Sequence, residues 1–199
     1  LEARLGAPVP PETTLAIHHP LTVARDTLRE TDAFYAALER IDGPIAFCFP
    51  NADAGGRALI ERARAFCAET PGRQVFVNLN PVDYWGLLRA VRVLIGNSSS
   101  GIMESASFAL PTVNVGDRQK GRERAVNVLD VPAETEAIVD AWRRAVAPDF
   151  RASLDGLDNP YGDGRAAERI VRALLDAPLG ERLRVKTPVS IPEEAEETR

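Results

Sequence analysis

The sequence predicts an α/β protein, a parallel β-sheet with helices packed on both faces. Two observations predict it. Short apolar runs alternate with segments of helical periodicity through most of the 199 residues, and strands separated by helices join in parallel through crossovers. The polar segments that stand out, residues 18–19, 51–53, 96–101 and 116–118, each follow an apolar run. Ligands of such sheets sit beyond the carboxyl ends of the strands, so these loops are expected at one ligand-bearing edge.

The elements follow in order. Residues 1–12, with Pro8, Pro10 and Pro11, read as a linker. Residues 14–17 (TLAI) read as a first strand, ending at His18-His19-Pro20. Residues 27–41 carry Leu28, Phe34, Ala37, Leu38 and Ile41 at helical spacing, and Asp42-Gly43-Pro44 ends that helix. Residues 45–49 (IAFCF) form a strand, followed by the loop PNADAGG and a helix over 58–67. A strand over 74–79, a helix starting at Pro81 and running to 90, and a strand over 91–95 come next. A helix over 101–108, strands over 112–115 and 127–131, and an amphipathic helix over 135–147 complete the pattern. A turn-rich loop, 159–164, precedes a last helix over 165–176. The domain is expected over residues 13–178, with a carboxylate-rich, disordered tail over 179–199.

Composition narrows the function classes. Hydrophobic residues make up 45% of the chain, enough for a full core, and the formal net charge is −5. General nucleic-acid binding needs a dense basic footprint and is disfavoured. The local cluster Arg118, Lys120, Arg122 and Arg124 suits one small anion better than a polymer. The two cysteines, Cys48 and Cys67, read as reduced core residues. No apolar run approaches the about 18 residues of a membrane span, and no signal peptide is visible, so neither membrane nor secretion is expected and the location reads as cytoplasmic. Because the chain begins with Leu1, it reads as a processed product or a piece of a longer protein.

Most of the chemistry lies between residues 93 and 124. Val93, Leu94 and Ile95 end at Gly96, and Asn97, Ser98, Ser99, Ser100 and Gly101 follow before a helix that bears Glu104. Strand, polar loop, helix start is how α/β proteins hold phosphate, because free N–H groups and the positive helix end face the anion. A helix N-cap needs one serine, and three plus a glycine exceed that need. The capping-box partner of Glu104 would be position 101, a glycine, which leaves Glu104 for a neutral donor pair such as ribose hydroxyls or for solvent. Arg118, after Gly116-Asp117, is placed to grip phosphate or an acceptor-rich base edge, or else to lie on the surface. Lys120, Arg122 and Arg124 read as a solvated face or a domain contact more than as direct ligands.

The chain has two histidines, adjacent on a strand end, so they point to opposite sides and make no metal site. Pro20 fixes the turn just after His19, which favours His19 as the ligand-facing one, a general acid or anion contact, or else it is a satisfied structural histidine. Asn51 reads as a hydrogen-bonding residue and Asp53 as an N-cap, or the whole segment as turn chemistry. Residues 159–164 either present N–H groups to the same ligand or form a structural turn.

Together GNSSSGIMES, PTVNVGDRQKGRER and NVLDV, with HHPLT and FPNADAGGR upstream and NPYGDG downstream, resemble the hydrolysing UDP-N-acetylglucosamine 2-epimerases. The resemblance covers roughly residues 14–176. It implies a GT-B architecture, two Rossmann-like domains with the active site between them, of which this chain is the C-terminal, UDP-binding half. It implies Ser98 and Ser99 at phosphate, with Gly101 in the same substrate-binding loop, and Glu104 at the ribose. Arg118, Asn51 and His19 would line the nucleotide and sugar site, His19 being the catalytic candidate. The implied reaction converts UDP-N-acetylglucosamine, or a diacetylated bacillosamine relative, and water into the 2-epimeric free sugar and UDP. It proceeds by elimination to a glycal-like intermediate and demands no metal or other cofactor. For the parent substrate the product is N-acetylmannosamine, a precursor in sialic acid biosynthesis.

The carboxylates for proton transfer would come from an N-terminal domain of the same protein, so the isolated chain is expected to be inactive. A homo-oligomer is compatible with this reading. Two other readings keep the nucleotide site: a stand-alone nucleotide-sugar binding module, and the donor domain of a UDP-sugar glycosyltransferase. The GDRQKGRER segment argues against the last.

Overall fold

The computed structural model describes residues 2–19, 27–49, 56–178, 180 and 184. Pro20, Asn51, Asp53 and the carboxylate-rich end of the tail lie outside the described residues.

Six strands, β1 (Thr14–Ile17), β2 (Ile45–Phe49), β3 (Arg73–Val77), β4 (Val93–Gly96), β5 (Thr112–Val115) and β6 (Val128–Val131), form one sheet. Every neighbouring pair is parallel, in the order β3-β2-β1-β4-β5-β6. The inner strands β1, β2, β4 and β5 are buried at every residue, as their near-continuous apolar runs require of strands covered on both faces. The edge strands β3 and β6 are mostly half-buried. Strands β1, β2 and β5 occupy the residues the sequence predicts; the others shift by a residue or two at their ends.

The helices are α1 (Glu2–Leu5), α2 (Thr27–Leu38), α3 (Gly56–Ala68), α4 (Pro81–Ala90), α5 (Ser100–Met103), α6 (Thr135–Ala145), α7 (Pro148–Ala152) and α8 (Ala166–Asp176). Two of them are not evident in the sequence. The proline-rich start, read as a linker, contains α1 and places Val9 in the core. After α6, Pro148 takes the first helical position of α7, where its missing N–H costs nothing.

The sheet separates two cores. On one face Phe34 and Leu38 of α2 and Ile138 and Trp142 of α6 pack on Phe47, Val93, Ile95 and Val113. On the other, Leu87 and Leu88 of α4 pack with Leu110 on Leu15, Ile17, Cys48 and Leu94. The alternation along β1 continues past its end. His18 stacks on Phe34 with 4.7 Å between ring centroids, while His19 belongs to the α4 side.

The helix expected over 101–108 is broken. An α-helical turn, α5, gives way at Glu104 to a 3-10 turn, Ser105–Phe108. The Ser105 hydroxyl donates back to the Gly101 carbonyl at 2.7 Å, a bond that competes with the helical ladder and bends it. Asn127 Nδ2 holds the same hydroxyl from outside at 2.8 Å. A one-turn helix carries little macrodipole, so any anion at this loop is held by nearby N–H groups, hydroxyls and side-chain charge.

The chain divides into two compact units, Leu1–Tyr161 and Gly162–Arg199. The second contains α8, whose Ile170, Val171, Leu174 and Leu175 are exposed. In it Arg169 forms a two-pronged ion pair with Asp163, at 2.8 and 2.7 Å.

Candidate functional site

Strand order reverses between β1 and β4, because the chain leaves β1 toward β2 and leaves β4 toward β5. A crevice opens at such a switch point, and side chains beyond the two strand ends line it. The register runs Thr14↔Val93 to Ile17↔Gly96, so the two strands end level. Gly96 holds that last rung at φ +139°, and a Cβ there would lie 2.0 Å from the Ile17 carbonyl oxygen.

One residue beyond the strand end, buried Asn97 ties three loops together. Its backbone N–H donates to the Ile17 carbonyl at 3.1 Å. Its side chain accepts from the His19 N–H at 2.7 Å and donates to the His19 carbonyl at 2.9 Å. Its own carbonyl accepts from Arg118 Nη1 at 3.0 Å and from Gln119 Nε2 at 2.8 Å. The loops after β1, β4 and β5 are thereby set against one another.

A cavity of about 540 Å³ lies against these loops. Its polar wall holds His19, Ser98, Ser99, Ser100, Glu104 and Arg118, and its apolar wall includes Ile17, Cys48, Phe49 and Leu79. Two aromatic side chains of α4, Tyr84 and Trp85, complete it. The Tyr84 hydroxyl donates to Ser100 Oγ at 2.5 Å, and Trp85 Nε1 donates to Glu104 Oε1 at 2.7 Å. Asn80 starts α4 as an N-cap, accepting from the Asp83 N–H at 3.0 Å, and Pro81 follows at the first helical position.

The serine loop does not cap its helix in the ordinary way. Ser99 sits at the N-cap position without a side-chain cap bond. Ser98 Oγ accepts from the Ser100 N–H at 3.3 Å. Among the described residues, the backbone N–H groups of Ser98 and Ser99 have no protein acceptor. Unpaired N–H groups, hydroxyls and the Arg118 guanidinium on one wall are an anion-binding chemistry. Glu104 is the one carboxylate among the described lining residues, and it suits hydroxyl donors.

Of the site residues predicted from sequence, the structure places His19, Ser98, Ser99, Glu104 and Arg118 on one cavity wall. Asn51 lies outside the described residues. Gly101 faces the sheet, and a Cβ on it would meet Thr112 Cγ2 at 2.9 Å and Leu94 Cδ2 at 3.2 Å. Its smallness lets α5 approach β4 and β5. Asn159 of the NPYGDG segment donates to the Met103 carbonyl at 2.8 Å and to Ser107 Oγ at 2.7 Å, propping the 100–108 segment. Arg124 is spent on Asp130 and on the Gln119 carbonyl.

Sequence reasoning missed Asn97, Gln119, Tyr84 and Trp85. Only the aromatic pair at the start of the helix after β3 offered a signal.

His18 and His19 are electrostatically unlike. Burial, with smaller contributions from His19 and Arg118, lowers the His18 pKa to about 4, so its ring is neutral. Its Nε2 lies 3.4 Å from Thr31 Oγ1. Burial pushes the Cys48 thiol up to about 12, so the cysteine on the cavity wall is an apolar surface and not a nucleophile. Among the described residues no group of three His, Cys, Asp or Glu could hold a metal ion, and no helix is long and apolar enough to cross a membrane.

The fold is a Rossmann-like parallel sheet of the GT-B type, with a polar-walled cavity at its switch point. The family model for UDP-N-acetylglucosamine 2-epimerase matches residues 7–175, and the chain belongs to that family. It is 35% identical over 167 residues to a hydrolysing UDP-N,N'-diacetylbacillosamine 2-epimerase of Legionella pneumophila, covering 83% of this chain and 43% of that protein. It is 32% identical over 165 residues to the polysialic acid biosynthesis protein P7 of Escherichia coli, covering 81% of this chain and 42% of that protein. The chain thus spans less than half the length of these relatives. Among solved structures, the UDP-GlcNAc 2-epimerase of Methanocaldococcus jannaschii, in complex with UDP-GlcNAc and UDP, superposes with a TM-score of 0.65 at 16% identity, covering 87% of this chain and 48% of that one.

Proposed function

We propose that this chain is the UDP-binding half of a hydrolysing UDP-N-acetylhexosamine 2-epimerase, which acts with a second domain of the same protein. The observation that carries the reading is the single cavity wall holding His19, Ser98, Ser99, Glu104 and Arg118 at the sheet's switch point. Elimination of UDP from the sugar develops negative charge on the departing diphosphate. The Ser98 and Ser99 N–H groups, the serine hydroxyls and Arg118 are in place before that charge forms, so they stabilise it without reorganisation. Glu104 accepts from the ribose hydroxyls. His19 contacts the sugar-proximal phosphate or delivers a proton to it. Among the described lining residues Glu104 is the only carboxylate, and it is held by Trp85. The proton transfers at the sugar carbon therefore fall to carboxylates of the other domain.

Calorimetric titration of UDP into this chain tests the site. Binding in the micromolar to millimolar range, weakened in both Arg118→Ala and Ser98→Ala, supports it; no binding by folded protein that carries its second domain refutes it. Release of free 2-epimeric sugar with UDP, followed by proton NMR in a protein carrying both domains, tests the reaction. Retention of the sugar on the nucleotide would refute the hydrolysing assignment.

A further inference from the structure

We infer that Trp85 is a positioning residue that gives the site its selectivity for a ribose over a deoxyribose, acting through Glu104. The inference rests on the proposed UDP site and deepens it. Trp85 is 47% exposed, so the core does not require an indole there. Its ring lines the cavity, and its one polar atom, Nε1, donates to Glu104 Oε1 at 2.7 Å. The preceding residue makes the parallel bond, Tyr84 hydroxyl to Ser100 Oγ at 2.5 Å. Ser100 and Glu104 are four residues apart, the first at the start of α5 and the second at its C-terminal boundary. Two consecutive aromatic residues of α4 therefore hold both ends of the turn that carries the serine loop and the carboxylate.

The need for such a hold follows from the local backbone. At Glu104 α5 gives way to a 3-10 turn. An acid at a helix break has several rotamers open to it, and solvent competes for its oxygens. A carboxylate offers about four lone-pair directions, and the indole N–H takes one of them. That single bond fixes the carboxylate plane while leaving Oε2 and the second lone pair of Oε1 for a ligand. A vicinal diol needs two acceptors in one orientation, and a deoxyribose needs one. Loss of the indole N–H therefore costs the diol more than the deoxy sugar.

The test compares UDP with 2′-deoxy-UDP by ligand-observed NMR titration, on the wild-type chain, Trp85→Phe, Glu104→Gln and the double variant. Phenylalanine keeps an aromatic ring at the wall, smaller than the indole, and deletes the donor. Wild type is expected to prefer UDP roughly tenfold, the range expected for one well-placed polar contact. In Trp85→Phe, UDP binding is expected to weaken about fivefold with 2′-deoxy-UDP nearly unchanged, and the double variant is expected to be no worse than Glu104→Gln alone. Equal weakening of both nucleotides in Trp85→Phe, or additive effects in the double variant, overturns the inference while leaving the UDP site standing. Absence of binding by either nucleotide to folded wild-type protein that carries its second domain overturns the site itself.

Discussion

The side-chain amide of Asn97 pairs with both backbone groups of His19, accepting from its N–H at 2.7 Å and donating to its carbonyl at 2.9 Å across 78 residues of sequence. The amide extends the β1–β4 ladder by one more rung, made by a side chain. It also fixes which way the His19 ring leaves the backbone. Asn97→Asp keeps the acceptor but turns a carboxylate oxygen toward the His19 carbonyl in a fully buried position. A loss of about 3 kcal/mol is expected from the buried charge and the unpaired carbonyl, measurable as a lowered urea midpoint at unchanged slope. An unchanged midpoint would show that the pairing is dispensable.

Gly96 and Gly101 are close in sequence and serve different constraints. At Gly96 a methyl group would meet backbone, the Ile17 carbonyl, at 2.0 Å and at φ +139°. Neither partner can move without breaking the β1–β4 pairing, so Gly96→Ala is expected to cost at least about 3 kcal/mol or to prevent folding. At Gly101 the methyl would meet side-chain atoms of Thr112 and Leu94. Those can shift, and alanine favours the helix, so a net cost of about 1 kcal/mol is expected for Gly101→Ala. Thermal melts of the two variants check the order, and a reversed order would contradict the assignment of the two contacts.

The two thiols differ for a physical reason that chemistry can read. Burial raises Cys48 to about 12 and half-buried Cys67 to about 11. At pH 8 Cys67 is expected to react with iodoacetamide roughly tenfold faster than Cys48, since the thiolate is the reactive form. Cys48 lines the cavity and Cys67 does not, so saturating UDP is expected to slow Cys48 alone. Peptide mass mapping over time reads both rates, and equal protection of the two would place the nucleotide outside the cavity.

The elements of this fold are legible in the sequence because they depend on local periodicity. TLAI, IAFCF and TVNV are short runs rich in apolar and β-branched residues, and each is a buried strand over those very residues. The parity of β1 also placed His19 and His18 on opposite faces. What the sequence does not carry is adjacency. Nothing near residue 97 says that β4 pairs with β1, so the tie from Asn97 to His19 has no local signature. The same holds for Trp85, whose partner Glu104 lies across the crossover from α4 to β4. The break at Glu104 was hidden as well, because the Asn127 donor that holds the Ser105 hydroxyl comes from the residue just before β6.

His18 makes stability depend on pH in a direction opposite to that of a salt-bridged histidine. Its ring is buried against Phe34, faces Thr31, and feels His19, Arg118 and Arg62. The folded-state pKa is about 4, below the value of 6.5 for a free histidine. Above pH 6.5 the ring is neutral in both states and contributes no pH dependence. Below 6.5 the unfolded chain binds a proton that the folded chain does not, so stability falls with pH until the folded ring titrates near 4. The expected loss approaches about 1.4 kcal/mol per pH unit, and reaches roughly 2 kcal/mol at pH 5 relative to the plateau well above pH 6.5. Urea midpoints of wild type and His18→Gln over pH 5 to 7 isolate the effect, because glutamine can still bond Thr31 and carries no proton in this range. The wild-type curve is expected to fall more steeply toward pH 5 than that of the variant. Parallel curves would mean that His18 is solvated in the folded state and that its ring does not sit on the α2 side of the sheet.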